Sequence, residues 1–194
     1  MLTVNKILFI ITIISWMVFA FGFLLLKRRT SNKKQKGDYS AVLGFVLEAA
    51  GYTLVFSIRR DSFTDIIPMN PLVEYLFFVL VVSLAFTSVW LSLSAVKTLD
   101  KQWDLRAQII EGHKLITTGP YNIVRHPIYS GMFGLLIITG YSITKLWAFM
   151  IAIALYFLGT VLRTKVEEKL LIQHFGDEYI KYRERVPALI PFIF

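Results

Sequence analysis

The sequence contains no cysteine and only three histidines. The absence of cysteine excludes disulfide bonds, thiolate zinc sites and cysteine nucleophiles. Three histidines without cysteine are a weak basis for a metal site, and we predict none. The sequence also lacks any Gly-x-Gly, so the glycine-rich turn with which doubly wound domains bind nucleotides is absent. Soluble nucleotide-binding folds of that kind are therefore excluded.

Acidic residues are scarce relative to basic ones. There are 13 Asp and Glu against 21 Lys and Arg, which gives a formal charge of +8. A basic protein that binds nucleic acid needs a folded basic surface outside the membrane, and little of this chain is polar enough to form one. We attribute the excess to the preference of cytoplasmic loops for Lys and Arg, and we predict no nucleic-acid partner.

Apolar residues are abundant, at 56% of the chain with a mean hydropathy of +0.60. This composition is typical of an integral membrane protein, and several runs are long enough to cross a bilayer. We predict an all-α, multi-pass protein with a single domain over residues 1–194. The five predicted transmembrane helices cover about residues 7–26, 39–58, 72–96, 127–144 and 146–163, and residues 164–194 form a cytoplasmic helix and tail.

The distribution of basic residues predicts the orientation. Residues 27–36 hold six basic residues and no acid, so this loop is expected on the cytoplasmic side. Five crossings then place the N-terminus outside and the C-terminus inside. Only Lys6, Arg59, Arg60 and Lys145 remain outside, which leaves 17 of the 21 basic residues on the cytoplasmic side. The predicted topology is thus self-consistent.

The fourth and fifth predicted helices form a tight hairpin around Lys145, and the fifth continues without proline or glycine to Gly176, a plausible helix stop. In an antiparallel hairpin, the start of one helix and the end of the other lie at the same depth. The segment "GPYNIVRHPIYSG" (residues 119–131) is therefore expected beside Arg163 and Glu167. Polar groups at that depth are costly unless they face protein, water or ligand, so we predict a functional site there.

The C-terminal half carries an ordered set of motifs. They are His113 with Leu115, then Gly119, Tyr121, "RHP" at 125–127, Tyr129 and Gly131, then Arg163, Glu167, Glu168, "HFGDEY" and "RVPALIP". This set resembles the isoprenylcysteine carboxyl methyltransferase family, which is related to the phospholipid N-methyltransferases. The resemblance implies an integral membrane enzyme that uses S-adenosylmethionine and releases S-adenosylhomocysteine.

The resemblance also implies roles for particular residues. Arg163 and Glu167 are the expected catalytic residues, and Arg163 also contacts the substrate. The expected cofactor-binding residues are His113, Lys114, Leu115, Ile116, Tyr121, His126, Pro127, Ile128, Tyr129 and Glu167. S-adenosylmethionine presents charged groups, hydroxyls, an adenine ring and a sulfonium, so its pocket needs donors, an acid and aromatic faces. The named residues supply that mixture.

The expected reaction is methyl transfer to the carboxylate of a lipophilic acceptor, most like the C-terminal carboxyl of a prenylated cysteine. The expected partners are a lipophilic small molecule or prenylated peptide, together with membrane lipid. A carboxylate is already ionised at neutral pH and needs no general base. A guanidinium fork such as that of Arg163 can hold it by two hydrogen bonds, but repels a protonated amine. O-methylation is therefore favoured over N-methylation.

Other functions also fit parts of the sequence. The C-terminal pattern is shared by membrane sterol reductases that bind NADPH, and a phospholipid N-methyltransferase or a non-catalytic membrane module are further alternatives. Arg163 and Glu167 could form a simple salt bridge four residues apart on one helix. For Glu48, inside the second span, we expect a structural hydrogen bond to another span in preference to a substrate contact.

Three polar residues complete the predictions. Glu168 is expected on a solvated helix face. The family's upstream glutamine could correspond to Gln102 or Gln108, and the sequence does not decide between them.

Overall fold

The computed structural model describes residues 2–26, 34–37, 40–105 and 107–191. These parts of the chain form six α-helices and two short strands. The helices are α1 (Leu2–Leu26), α2 (Ala41–Ser57), α3 (Pro71–Leu99), α4 (Pro127–Ile143), α5 (Leu146–Phe175) and α6 (Asp177–Arg185), and the strands are β1 (Lys34–Gly37) and β2 (Gln108–Ile110). Most of the basic loop predicted to face the cytoplasm, residues 27–33, lies outside the described residues.

The predicted helices match the observed ones closely, including the tight α4–α5 hairpin. Three helices, α1, α3 and α5, are long and apolar enough to cross a membrane, whereas α2 and α4 are shorter apolar helices. Large apolar side chains project from the bundle, such as Leu24, 74% exposed, and Phe86, 76% exposed. Apolar surface of this extent is expected where the surrounding solvent is lipid. The chain is an integral membrane protein.

The predicted helical fold is confirmed, and the structure adds one short strand pair that was not predicted. Strands β1 and β2 pair antiparallel in a two-stranded ribbon, with Lys34 opposite Ile110 and Gly37 opposite Gln108. Four- and three-residue strands are too short to leave a periodic pattern in the sequence. The ribbon joins the end of the basic loop to the segment that precedes α4.

Local sequence signals explain where two of the long helices begin or end. The side chain of Asn70 accepts a hydrogen bond from the backbone N–H of Val73 at 3.0 Å, and Pro71 occupies the first position of α3. This is a standard N-terminal cap. Helix α5 ends at Phe175, and the next residue, Gly176, has a φ of +54°, a backbone conformation that favours glycine. The stop predicted at Gly176 is confirmed.

The bundle is built from close helix pairs. Helix α2 packs along α5, α3 packs along α4, and α1 lies against α3 and α4. One apolar core joins α1, α3 and α4, and a second joins α2, α4 and α5. The second core includes Val55, Leu136 and Ala152, which are fully buried. Helix α4 thus takes part in both cores, and α5 packs against α2 and α4 in the second core.

Glycines allow the backbones of α2 and α5 to approach closely. A Cβ atom placed on Gly44 would lie 2.5 Å from the carbonyl oxygen of Gly159, and one placed on Gly159 would lie 2.5 Å from that of Gly44. These distances are too short for any real side chain, so only glycine fits at either position. This glycine contact brings the first turn of α2 beside Gly159 of α5, one helical turn before Arg163.

The far end of the α4–α5 hairpin is held by an arginine. The Arg60 guanidinium donates to the backbone carbonyls of Tyr141, Ser142 and Thr144 at 2.6, 2.9 and 2.8 Å. These are carbonyls that a helix C-terminus leaves without intrahelical partners. The hairpin is therefore fixed at its turn, and its two open ends point toward the polar cluster.

Candidate functional site

A cavity of about 630 Å³ lies between the start of α4, the polar half of α5 and the segment before α4. This volume is within the usual range for a small-molecule site. All the predicted site residues line this one cavity: His113, Lys114, Leu115, Ile116, Tyr121, His126, Pro127, Ile128, Tyr129, Arg163 and Glu167. The structure therefore brings together the two polar clusters that lie far apart in the sequence.

The segment before α4 owes its shape to glycine and proline. Gly119 has a φ of +61° and begins a single 3₁₀ turn that ends at Asn122. Pro127 then occupies the first position of α4, where its missing N–H costs nothing. These residues fix an irregular backbone between two helices, which leaves the side chains of Tyr121 and His126 on the cavity wall.

The C-terminal tail fastens this segment from outside. The backbone N–H groups of Arg125 and His126 donate to the carbonyls of Pro187 and Ala188 at 2.8 and 3.0 Å. The Ser130 hydroxyl donates to the carbonyl of Leu189 at 2.5 Å. The tail thus supplies the acceptors that an isolated helix start would lack.

An ion network links the start of α4 to α5. The Arg125 guanidinium contacts the Glu168 carboxylate at 2.9 Å, and His126 Nε2 lies 3.1 Å from the same oxygen. His126 Nδ1 lies 3.5 Å from Glu167. The expectation that Glu168 belongs to a solvated face is therefore wrong. Periodicity along α5 could not reveal this, because the partners of Glu168 come from another segment.

This network favours the charged form of His126. Burial alone opposes its charge, but the hydrogen bonds and charges of Glu167 and Glu168 outweigh burial and raise the pKa of His126 above its ordinary value. Both ring nitrogens face carboxylates, which suits the doubly protonated ring. The side chain makes no helix-capping hydrogen bond, although His126 occupies the N-cap position of α4.

Two tyrosines contribute hydroxyls to the site. The Tyr129 hydroxyl donates to the Glu167 carboxylate. Burial, followed by the nearby charge of Glu167, raises the pKa of Tyr121 far above its usual range. The Tyr121 phenol therefore stays protonated and neutral at every physiological pH. Tyr182 donates its hydroxyl to the backbone carbonyl of Tyr121 at 2.6 Å, which fixes that residue on the cavity wall.

Arg163 is held on several sides. Its Nη1 donates to Glu48 at 2.7 Å and its Nη2 to the backbone carbonyl of Leu105 at 2.7 Å. The guanidinium also lies 4.8 Å from the ring centre of Tyr129 and 5.6 Å from that of Phe45. The observed ion pair is thus with Glu48 on α2, and a simple Arg163–Glu167 salt bridge does not describe the arrangement. Each terminal nitrogen has one acceptor, whereas the buried Nε has none among the described residues, so the guanidinium keeps donors for a further ligand.

Glu48 makes the structural contact expected of it. Besides Arg163, its other carboxylate oxygen accepts from the Thr160 hydroxyl at 3.0 Å, so both oxygens bond to α5. The expected hydrogen bond to another span is confirmed. Glu48 also lines the cavity, which the sequence did not indicate.

His113 has a free nitrogen at the cavity. Its Nδ1 is buried and has no hydrogen-bond partner among the described residues. Burial, and then the nearby His174, lower the pKa of His113, so its ring is neutral at pH 7. The adjacent Lys114 N–H donates to the Gln102 side chain, and Gln102 Nε2 donates back to the Lys114 carbonyl at 3.3 Å. Gln102 thus supports the segment, while both Gln102 and Gln108 line the cavity.

Several cavity residues were not predicted. Tyr179 and Tyr182 on α6 contribute aromatic side chains, and the Tyr179 hydroxyl is buried without a partner in the described part of the chain. Further apolar lining includes residues of α1, α2 and α4, namely Phe19, Phe23, Phe45, Ala49, Tyr52 and Met132. Aromatic residues in apolar helices are too common for the sequence to single these out.

The raised pKa of His126 predicts that the stability of the protein depends on pH. A pKa that folding raises means that stability is fully present below the unfolded value, near 6.5, and is lost as pH rises through the folded value. The melting-temperature advantage of wild type over His126→Gln should therefore shrink as the pH rises above about 6.5. Thermal unfolding in detergent measures it, with exposed His174→Gln as control. An advantage that grows with pH would contradict the assignment.

The fold and the cavity define a class of protein: a helical integral membrane protein with an enclosed polar and aromatic site where two of its helices meet. The model of the isoprenylcysteine carboxyl methyltransferase (ICMT) family matches residues 76–173, half of the chain. The chain belongs to this family. The match covers α4 and most of α3 and α5, and it leaves out α1 and α2.

Individual relatives agree with the family assignment. The chain is 38% identical over 87 residues to protein-S-isoprenylcysteine O-methyltransferase B of Arabidopsis thaliana, which covers 43% of this chain and 42% of the relative. It is 40% identical over 81 residues to the Saccharomyces cerevisiae protein-S-isoprenylcysteine O-methyltransferase, covering 42% and 34%. A methanethiol S-methyltransferase of Crocosphaera subtropica is 36% identical over 80 residues, covering 41% and 30%. The chain thus matches less than half the length of each of these relatives.

Proposed function

We propose that this protein transfers a methyl group from S-adenosylmethionine to the carboxylate of a lipophilic acceptor, most like a prenylated cysteine. The observation that carries the proposal is the single cavity that contains both the polar residues suited to the cofactor and a wall of apolar and aromatic side chains. S-adenosylmethionine, when bound, supplies an electrophilic methyl group on its sulfonium.

The residues present fit this cofactor. His113 Nδ1 and the Tyr179 hydroxyl are buried polar atoms without partners among the described residues, and buried polar groups in native proteins nearly always have partners. Both line the cavity, as do the Glu167 carboxylate and the Tyr121 and Tyr129 rings. An acid suits an ammonium or ribose hydroxyls, and aromatic faces suit a sulfonium and an adenine ring.

The acceptor chemistry demands little acid or base catalysis. An α-carboxyl has a reference pKa near 3.5 and is ionised at neutral pH. The residues must therefore hold the carboxylate oxygen in line with the methyl group and exclude water. Arg163, which contacts the rings of Tyr129 and Phe45, is the donor we assign to the acceptor. Glu167 anchors the start of α4 through Tyr129 and is assigned to the cofactor side of the site.

The apolar part of the cavity fits the lipophilic part of the acceptor. Phe19 and Phe23 of α1 and Phe45, Ala49 and Tyr52 of α2 contribute to its lining. A prenyl chain gains about 0.8 kcal/mol for each methylene moved from water into an apolar environment. A site of this kind accepts one reactant from lipid and the other from water.

A thiol acceptor is the second candidate. One relative is named a methanethiol S-methyltransferase. In addition, Glu48 lies 2.7 Å from Arg163, so the pair presents little net charge to an acceptor. A carboxylate therefore has a smaller electrostatic advantage over a neutral nucleophile than a lone arginine would give it.

Thermal stabilisation tests the cofactor assignment. A ligand present at 100 times its Kd stabilises the folded protein by about 2.7 kcal/mol. We expect S-adenosylhomocysteine to raise the melting temperature of the purified protein and NADPH to leave it unchanged. Stabilisation by NADPH alone would favour a reductase, and no shift with either would favour a non-catalytic module.

For the membrane arrangement, we propose one domain with five crossings, in which α2 and α4 also span the bilayer. The N-terminus is then outside, and the C-terminus and site are on the cytoplasmic side. The charge distribution supports this orientation.

The absence of cysteine makes this topology easy to test. Single variants Ser62→Cys, between α2 and α3, and Lys181→Cys, on α6, are exposed sites that carry the only thiol in the chain. A membrane-impermeant maleimide added to intact cells should label Ser62→Cys at once and Lys181→Cys only after permeabilisation. The reverse pattern, or equal labelling of both, would contradict the proposed orientation.

A further inference from the structure

The Glu48–Arg163 pair is the most deeply placed ion pair at the cavity. The side chain of Glu48 is 9% exposed and that of Arg163 is 6% exposed. A buried ion pair usually adds little net stability, because desolvation offsets the attraction between the charges. The contribution of this pair to stability therefore does not explain its position at a binding cavity.

The close packing of α2 against α5 brings Glu48 and Arg163 together. Gly44 and Gly159 allow the backbones of α2 and α5 to meet, and each lies one helical turn from a member of the pair. The Thr160 hydroxyl fixes the second oxygen of Glu48 at 3.0 Å. Glu48 is thus oriented at both oxygens, and it in turn orients Arg163 at Nη1. Helix α2 lies outside the residues that the family model matches.

We infer that Glu48 is a positioning residue that orients Arg163 and balances its charge, so that Arg163 aligns an anionic acceptor without binding it too tightly. This inference rests on the proposed methyl transfer. According to this inference, α2 takes part in the reaction through Glu48, and the acceptor site carries little net charge.

The charge balance matters because of the reaction itself. Transfer to a carboxylate forms an O–C bond, breaks the C–S bond and leaves the electron pair on sulfur. One negative and one positive charge disappear together. A lone cation beside the carboxylate stabilises the ground state, where the negative charge is full, more than the transition state, where it is partly lost. The counter-charge of Glu48 removes that unequal stabilisation.

The Glu48→Gln variant separates positioning from simple structural support. Glutamine keeps the shape and can still bond to Thr160 and Arg163, but it removes the negative charge. We expect kcat to fall about tenfold and the acceptor KM to fall severalfold, since the acceptor then meets an uncompensated cation. Loss of structural support would instead raise KM or reduce S-adenosylhomocysteine binding. Thr53→Val, on the exposed face of the same helix, is the matched control.

The experiment uses the full chain in detergent, with an N-acetylated, S-farnesylated cysteine as acceptor. Direct binding of this carboxylate acceptor and of its neutral methyl ester to the protein gives a readout that does not depend on turnover. Glu48→Gln should favour the carboxylate over the ester more than wild type does. An unchanged preference with unchanged kcat would overturn the inference, and so would equal weakening of both ligands. Failure of wild type to bind S-adenosylhomocysteine would instead overturn the proposed function.

Discussion

Replacing Arg163 with alanine is expected to reduce methyl transfer about a hundredfold or more while S-adenosylhomocysteine still binds. Arg163 is the cation we assign to the acceptor, and it contacts the rings of Tyr129 and Phe45 at the cavity wall. Transfer is measured with labelled S-adenosylmethionine and a prenylated cysteine, and cofactor binding by calorimetry. Exposed Lys165→Ala, on the same helix, is the control.

The Arg163→Ala variant is also expected to lose stability. Removal of Arg163 leaves the Glu48 carboxylate buried without its charged partner, which costs about 3 to 5 kcal/mol in comparable pairs. The double variant Glu48→Gln/Arg163→Ala removes that burden, so it should fold better than Arg163→Ala and remain inactive. If the double variant regains transfer, or if cofactor affinity falls as far as activity, Arg163 does not act on the acceptor.

Replacing Glu167 with alanine is expected to weaken S-adenosylhomocysteine binding by about 10- to 100-fold, the usual cost of losing a hydrogen bond to a charged group. Glu167 accepts from Tyr129 and lies 3.5 Å from His126 Nδ1, so its loss also releases two side chains of the cavity wall. Calorimetry on the purified protein measures the change. Lys169→Ala, exposed on the same helix, should bind as wild type does. An affinity within about threefold of wild type would place Glu167 outside the cofactor site.

The helices and the meeting of the two polar clusters could be predicted from the sequence. Long apolar runs, Pro71, Pro127 and Gly176 mark helix boundaries that depend on local chemistry alone. The α4–α5 hairpin brings its two open ends together whatever the rest of the bundle does. The shared cavity of residues 119–131 and Arg163 therefore follows from topology without any knowledge of side-chain packing.

The partners of those residues could not be predicted. Arg163 bonds to Glu48 because α2 approaches α5 at Gly44, and no periodicity within either helix indicates their relative rotation. Glu168 is drawn from the solvated face by Arg125 and His126, which belong to another segment. Contacts between elements depend on packing, and a single sequence carries little information about it.

The proposed function requires that one cavity hold the methyl donor and a carboxylate acceptor together. The most direct test is to incubate the purified protein with S-adenosylmethionine labelled in its methyl group and an S-farnesylated cysteine with a free carboxyl. We expect a labelled product that releases methanol on mild base treatment, as a methyl ester does. Label in a base-stable N-methyl or S-methyl product, or no transfer with any prenylated carboxylate, would contradict it.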